Sequence, residues 1–483
     1  MAMVLLAIAA RAQHGYNPGR KFPKEALQKD FDLLTATLTR HHPSLYAYAS
    51  PEAFGKACSL QRGRIGDSMT EQQFAYRIIA PLVSMIRCGH TSLAFSRRFT
   101  AYSIARRPPS FPLQLRCFSD TMIVLRNLDP GNPAIRQGTQ ITSIDGLPAA
   151  EVIHRIFSHL PLDGFAETNL YDRISLSFPY HHRNVFGIHE RYEIGYIDSL
   201  GRESKTMMNL YKPEEKTAAS TAVGRAGVIG GRSTPRPRIL FDSSLKTAFL
   251  NLPSFAAGNR LRGFYRRAFS EIGKRQIRSI VIDLRSNGGG EIGNHIRLAR
   301  YLKDSPFRIA DTAVAVSRKL GPKASLFSGR IPNSFVLLFL TKRGQDGGYH
   351  LRYWEKKVFR NRNRNAFKGD VYILTAGSTF SAATLFCKTM KGQANVTLVG
   401  EETGGGQYAS NGLLIPRVTL PSTGLRVSLP LFRLIADRDS RNDGRGVMPD
   451  VVVEPNSFGV RAGIDRKLER VRALIKDRLR LDP

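Results

Sequence analysis

The segment Ser279-Ile280-Val281-Ile282-Asp283-Leu284 is an apolar run broken only by one aspartate. Such a strand has no wet face, so it must lie in a sheet covered on both sides, which in practice means parallel strands joined by helical crossovers. The flanks agree. A strand pattern at 247–252 precedes a helical one around 261–272; after the run come a helix carrying Ile292, Ile296, Leu298 and Leu302, a strand at 371–375, a helix at 381–390 and a strand at 396–399. This alternation predicts a layered α/β core over 239–460, with residues 305–368 as an insert and an amphipathic helix within 461–483.

The chain of 483 residues is too long for one ordinary core, and its 42% hydrophobic content excludes a mostly disordered, collagen-like or coiled-coil protein. Residues 20–105 read as a helical N-terminal domain. Leu27, Phe31, Leu34 and Leu38 share one helix face, and Thr70-Glu71-Gln72-Gln73 has the form of a capping box. Pro81 is expected to kink the helix that follows, and Gly89 to end this helical stretch. Residues 110–212 change to short strands and turns. Within them Gly138-Thr139-Gln140-Ile141-Thr142-Ser143-Ile144-Asp145-Gly146 resembles the core strand of a PDZ domain, a module that receives extended peptides by strand addition. Residues 213–238, rich in Gly, Ala, Ser and Arg, read as a linker.

Lys and Arg outnumber Asp and Glu by 72 to 39, a net charge of +33 that favours anionic surfaces, acidic substrates or nucleic acid without naming one. Arg360-Asn361-Arg362-Asn363-Arg364 lacks interleaved aromatics, so it reads as a solvated loop and no specific nucleic-acid partner is expected. Cys58, Cys88, Cys117 and Cys387 form no CxxC pair, and His41-His42 and His181-His182 lack accompanying ligands; neither a metal nor another cofactor is expected. No apolar run reaches the roughly 18 residues of a membrane span. Residues 1–12 are apolar up to Ala10-Arg11-Ala12, a small-x-small pattern that predicts a signal peptide and an exported protein, periplasmic, cell-surface or extracellular; no Lys or Arg precedes the stretch.

Chemistry is expected at three turns that follow strands. Gly288-Gly289-Gly290 offers bare backbone N–H groups at a helix start, suited to a developing negative charge; the segment lacks the ending of a phosphate loop. Gly377-Ser378-Thr379-Phe380-Ser381-Ala382-Ala383 puts Ser381 at a strand-to-helix turn with small neighbours, as either a nucleophile or an N-cap. Gly400-Glu401-Glu402-Thr403-Gly404-Gly405-Gly406 is the third.

In order, the blocks Asp283-x-Arg285-x-Asn287-Gly-Gly-Gly, Thr379-Phe380-Ser381-Ala382-Ala383 and Val399-Gly400-Glu401-Glu402-Thr403-Gly404-Gly405 resemble the signatures of the tail-specific (C-terminal processing) serine peptidase family. The resemblance implies a ClpP/crotonase-like core, peptide or protein substrates, Ser381 as nucleophile, and Gly288, Gly289, Gly290 and Ala382 as oxyanion donors. The bacterial processing branch uses a lysine in a Gly-Lys-Gly setting where this chain has Gly404-Gly405-Gly406-Gln407. Lys388, seven residues past Ser381, would lie about 10 Å along the helix, too far for a dyad. Cys88-Gly89-His90-Thr91 resembles instead the Asp-Gly-His-Thr of the tricorn-core branch, which implies His90 as general base. Asp443, ahead of Gly446-Val447-Met448-Pro449-Asp450, matches that branch's acidic residue. Cys88, in place of the aspartate, and Thr384, where an acidic residue is usual, leave a rival open: a silent binding protein on the same core.

Overall fold

The computed structural model describes residues 16–213, 236–321 and 323–481. The expected signal peptide at 1–12 and nearly all of the 213–238 linker lie outside the described residues. Arg238–Asp242, Thr247–Asn251, Ser279–Asp283, Asp370–Thr375, Val396–Gly400 and Val451–Val452 form one sheet in that order, antiparallel at the first pair and parallel thereafter. Alternation along the strands divides the two faces. Ile280 and Ile282 turn with Ile373 and Leu398 toward the helices Leu261–Lys274, Ile292–Leu302 and Ala382–Met390, while Val281, Leu374 and Val399 meet Val471 and Ile475 of the helix Arg466–Leu481. The sheet is therefore covered on both sides, as the apolar run requires.

Leu113–Phe118, Thr121–Asn127, Gln140–Ile144, Arg191–Ile197 and Glu203–Asn209 make a second, antiparallel sheet, with the helix Ala149–Phe157 packed on its core. Asp145 and Gly146, both at positive φ, turn the chain from Gln140–Ile144 into Leu147–Pro148. Helices Thr168–Leu176 and Phe178–Phe186 stand where the sequence suggested only strands and turns. Leu170, Ile174 and Phe178 do recur every four residues, but the stretch is divided at Ser177, just before Pro179, so neither helix shows a long period of its own.

Two expectations are corrected here. The N-terminal helices Lys24–His41 and Pro51–Gly63 do not close a core of their own: Leu27, Leu34 and Leu82 share one with Ala313, Leu337, Val418 and Phe432. The supposed insert belongs to the same body, because Thr312–Ala315 pairs with Arg433–Ile435 in a five-stranded sheet. Around Pro81, where a kink is expected from the sequence, the helix is continuous but irregular. The chain runs from Glu71–Phe74 through a π-turn at Ala75–Ile79, where the Ala80 N–H reaches back to the Ala75 carbonyl, and on to Ala80–Met85. The wider turn thus lies immediately before the residue that has no N–H to donate.

These packings fix the loop that carries His90. Leu93–Ala94 pairs with Arg426–Ser428, and the Ser428 N–H donates to the Ser92 carbonyl at 2.9 Å, so the loop is tied to the long arm that follows the parallel sheet.

Candidate active site

Ser381 stands at the C-terminal edge of the parallel sheet, just before the helix Ala382–Met390, with φ 55° and ψ −121°. That is the first central conformation of a type II′ turn, which glycine normally fills. A serine held there stores about 1–3 kcal/mol of strain. The neighbours hold it in place: the Thr379 hydroxyl donates to the Leu284 carbonyl at 2.9 Å, the Phe380 N–H to the Asn287 carbonyl at 3.0 Å, and the Gly404 N–H to the Thr379 carbonyl at 2.9 Å. The Ser381 side chain makes no capping hydrogen bond, which removes the N-cap explanation for a serine at this position.

His90 arrives from the N-terminal region and lies over Phe380, ring centroids 4.8 Å apart. It is 8% exposed, and neither ring nitrogen has a hydrogen-bond partner among the described residues. His295, fully buried, also has both ring nitrogens without a partner among the described residues, so what sets His90 apart is its place beside Ser381. Burial lowers its pKa below the usual value, partly opposed by the charge of Asp163, so the ring is neutral at neutral pH.

Gly412 brings the two groups together. The point where a Cβ would stand at Gly412 lies 2.8 Å from His90 Nε2 and 2.8 Å from Ser381 Oγ. The two atoms thus border one space, and only a residue without a side chain leaves it open. Gly412→Ala is expected to keep the fold, since the backbone there is not left-handed, but to wedge a methyl between the two groups. Phosphonylation by a fluorophosphonate, in which fluoride leaves phosphorus, should slow on the order of 10²-fold, the cost of a displacement of about 1 Å; a rate within a factor of two of wild type would refute the shared space.

The carboxylate beside His90 is Asp163, which the sequence did not single out. Its Oδ2 lies 3.9 Å from His90 Nδ1, and its Oδ1 accepts the Gly89 N–H at 2.6 Å. Burial raises its pKa, while His90 and the Gly89 and Gly406 N–H groups pull it down. Pro161-Leu162-Asp163-Gly164 looks like an ordinary turn; what distinguishes it is that Gly164 N–H donates to the Arg87 carbonyl and Phe165 N–H to the Gly444 carbonyl, clamping it between two distant loops. Asp443 is placed differently from its expected role. It accepts the Arg445 N–H at 2.9 Å in its own turn, while the ion pair of His90 among the described residues is with Asp163. Lys388 lies 3.5 Å from Asp437, paired away from the serine.

Of the expected oxyanion donors, Gly289 is corrected: its N–H is committed to Asn287 Oδ1 at 2.9 Å. Its glycine identity has a steric reason instead, since a Cβ at φ +98° would stand 2.8 Å from Ser381 Cβ. Gly288, Gly290 and Ala382 donate to no backbone or side-chain acceptor among the described residues; the next N–H of the helix that Ala382 opens, on Ala383, donates to the Phe380 carbonyl at 3.1 Å.

Residues 246–453 match the model for peptidase family S41. The core of this chain belongs to that family. The S41 core makes the chain a serine-type peptidase, a hydrolase. Among solved structures, mature CPAF aligns with a TM-score of 0.63 at 14% identity over 94% of this chain and 98% of that one. Mature CPAF complexed with lactacystin gives 0.65 at 14% identity over 94% and 98%. A putative peptidase from Parabacteroides merdae gives 0.48 at 14% identity over 93% and 96%. At 14% identity the likeness to the two CPAF structures concerns the fold. No curated protein matches this chain by sequence.

Proposed function

We propose that this S41 peptidase is an endopeptidase of the histidine-using branch, in which Ser381 Oγ attacks a peptide carbonyl while His90 Nε2 accepts its proton. The new C–O bond gives a tetrahedral intermediate whose oxyanion is held by the Ala382 N–H together with the Gly288 and Gly290 turn. His90 then passes the proton to the leaving amine, the C–N bond breaks, and water hydrolyses the acyl-enzyme by the same base. Asp163 stabilises the transient imidazolium through space, in place of Asp443, which the sequence pattern has orienting or polarising the site through a hydrogen bond.

The observation that carries this reading is the pair of atoms bordering the Gly412 space, a strained serine hydroxyl and an unpartnered buried imidazole. The same pair speaks against a silent binding protein, in which nothing would maintain the strain. The antiparallel sheet over 113–209 is read as a PDZ-like unit that presents or gates peptide. No described helix is long and apolar enough to cross a membrane, and export is proposed from the apolar N-terminal stretch.

The test is labelling of the folded protein with a fluorophosphonate, followed by peptide mapping. One adduct per chain on Ser381 is expected. Labelling of another serine, or none alongside undiminished peptide hydrolysis, would overturn the assignment.

A further inference from the structure

Cys88 stands where the tricorn-type motif has an aspartate, and the proposed mechanism gives it no task. It is 2% exposed, and one donor atom from each of Cys88, His90 and Asp163 lies within 4.8 Å of the other two. We propose that these three residues form a reversible inhibitory site for a zinc-type divalent cation, bound on the Nδ1 side of His90.

The donor set is a thiolate, an imidazole and a carboxylate, a mixture that suits zinc and excludes calcium and magnesium, which take oxygen ligands. Tetrahedral zinc at about 2.0–2.3 Å from each ligand puts the ligands about 3.3–3.7 Å apart. His90 Nδ1 and Asp163 Oδ2 are 3.9 Å apart, so a small ring rotation closes the gap. The second observation is His90 itself, whose buried Nδ1 has no partner among the described residues. The Cys88 sulfur, within 4.8 Å of the other two donor atoms, must move in by up to about 1 Å. The other donors are already oriented from behind. Asn411 Nδ2 donates to Cys88 Sγ at 3.1 Å, Asn411 is held in turn by the Ser44 hydroxyl at 2.9 Å, and the Gly89 N–H fixes Asp163 at 2.6 Å. Outer bonds of this kind set ligand orientation in metal sites. The fourth position is left to water.

On binding, the cation takes the Cys88 sulfur as thiolate, whose proton leaves to solvent, and takes the lone pair of His90 Nδ1. The neutral ring then carries its proton on Nε2, the atom that borders the Ser381 hydroxyl, and cannot accept another. The inhibition rests on the proposed role of His90; the site itself does not. Reading along the chain gave no metal because Asp163 reaches the Cys88-Gly89-His90 turn only through the fold.

The test uses the full chain, freed of metal with chelator and titrated with Co²⁺. A near-ultraviolet thiolate-to-cobalt charge-transfer band saturating at one equivalent is expected, lost in Cys88→Ser and kept in Cys58→Ser, which removes the more accessible thiol. Zn²⁺ should suppress fluorophosphonate labelling of wild type by at least about tenfold, and chelator should restore it. In Cys88→Ser the remaining labelling, whatever its rate, should ignore Zn²⁺. No band in folded wild type, a band that survives Cys88→Ser, or equal Zn²⁺ sensitivity in that variant would overturn the proposal. A band in a protein that never labels would keep the metal site and remove His90 from catalysis.

Discussion

Ser381→Ala should lower peptide hydrolysis by about 10⁶-fold, the scale seen when a serine nucleophile is removed from a working triad, while far-ultraviolet circular dichroism stays unchanged. The residue also offers a stability readout that a merely structural serine would not. At φ 55° and ψ −121° any side chain at position 381 is strained, and alanine keeps the strain that serine carries. Glycine removes it. Against this stands the extra backbone freedom that glycine gives the unfolded chain, about 0.4–1 kcal/mol. The net gain for Ser381→Gly over Ser381→Ala is about 1 kcal/mol, or a rise of roughly 1 °C in the unfolding midpoint of a chain this long. Two inactive variants should therefore differ in stability, the glycine one melting higher. Equal midpoints would mean that the turn holds no strain, and full activity in either variant would sink the nucleophile.

What could be read beforehand follows from the range of each interaction. The strand at Ser279–Asp283 was legible because burial on both faces writes itself into consecutive residues, and Ser381 because a turn between strand and helix has local marks. His90 was reached through a short motif. Asp163 was hidden because its partners, the N–H groups of Gly89 and Gly406, come from other parts of the chain, and an aspartate before glycine looks like any turn. The same holds for the shared core of the N-terminal helices and the 310–351 segment: amphipathic stripes announce that a face is covered but not by what. Gly412 carried no sequence signal at all, since its role is to be absent from a space that two distant side chains need.

His90→Ala should cost nearly as much as Ser381→Ala, and the double variant should be no slower than either single one, because nucleophile and base act as a unit. The pH profile gives an independent check on the assignment. Burial depresses the His90 pKa and the Asp163 charge raises it in part, so the acid limb of wild-type labelling, measured with chelator present, should have its midpoint below the ordinary histidine value of about 6.5, with a plateau at neutral pH. Asp163→Asn removes the opposing charge. The limb should then move to lower pH while the plateau rate falls on the order of 10²-fold, less than the ~10⁴-fold lost when the carboxylate is hydrogen-bonded directly to its histidine. Asp443→Asn, whose carboxylate serves its own turn, should leave the midpoint in place. A midpoint that moves with Asp443 and ignores Asp163 would return the acidic role to the residue the motif suggested; one that moves with neither would mean that the limb does not belong to His90.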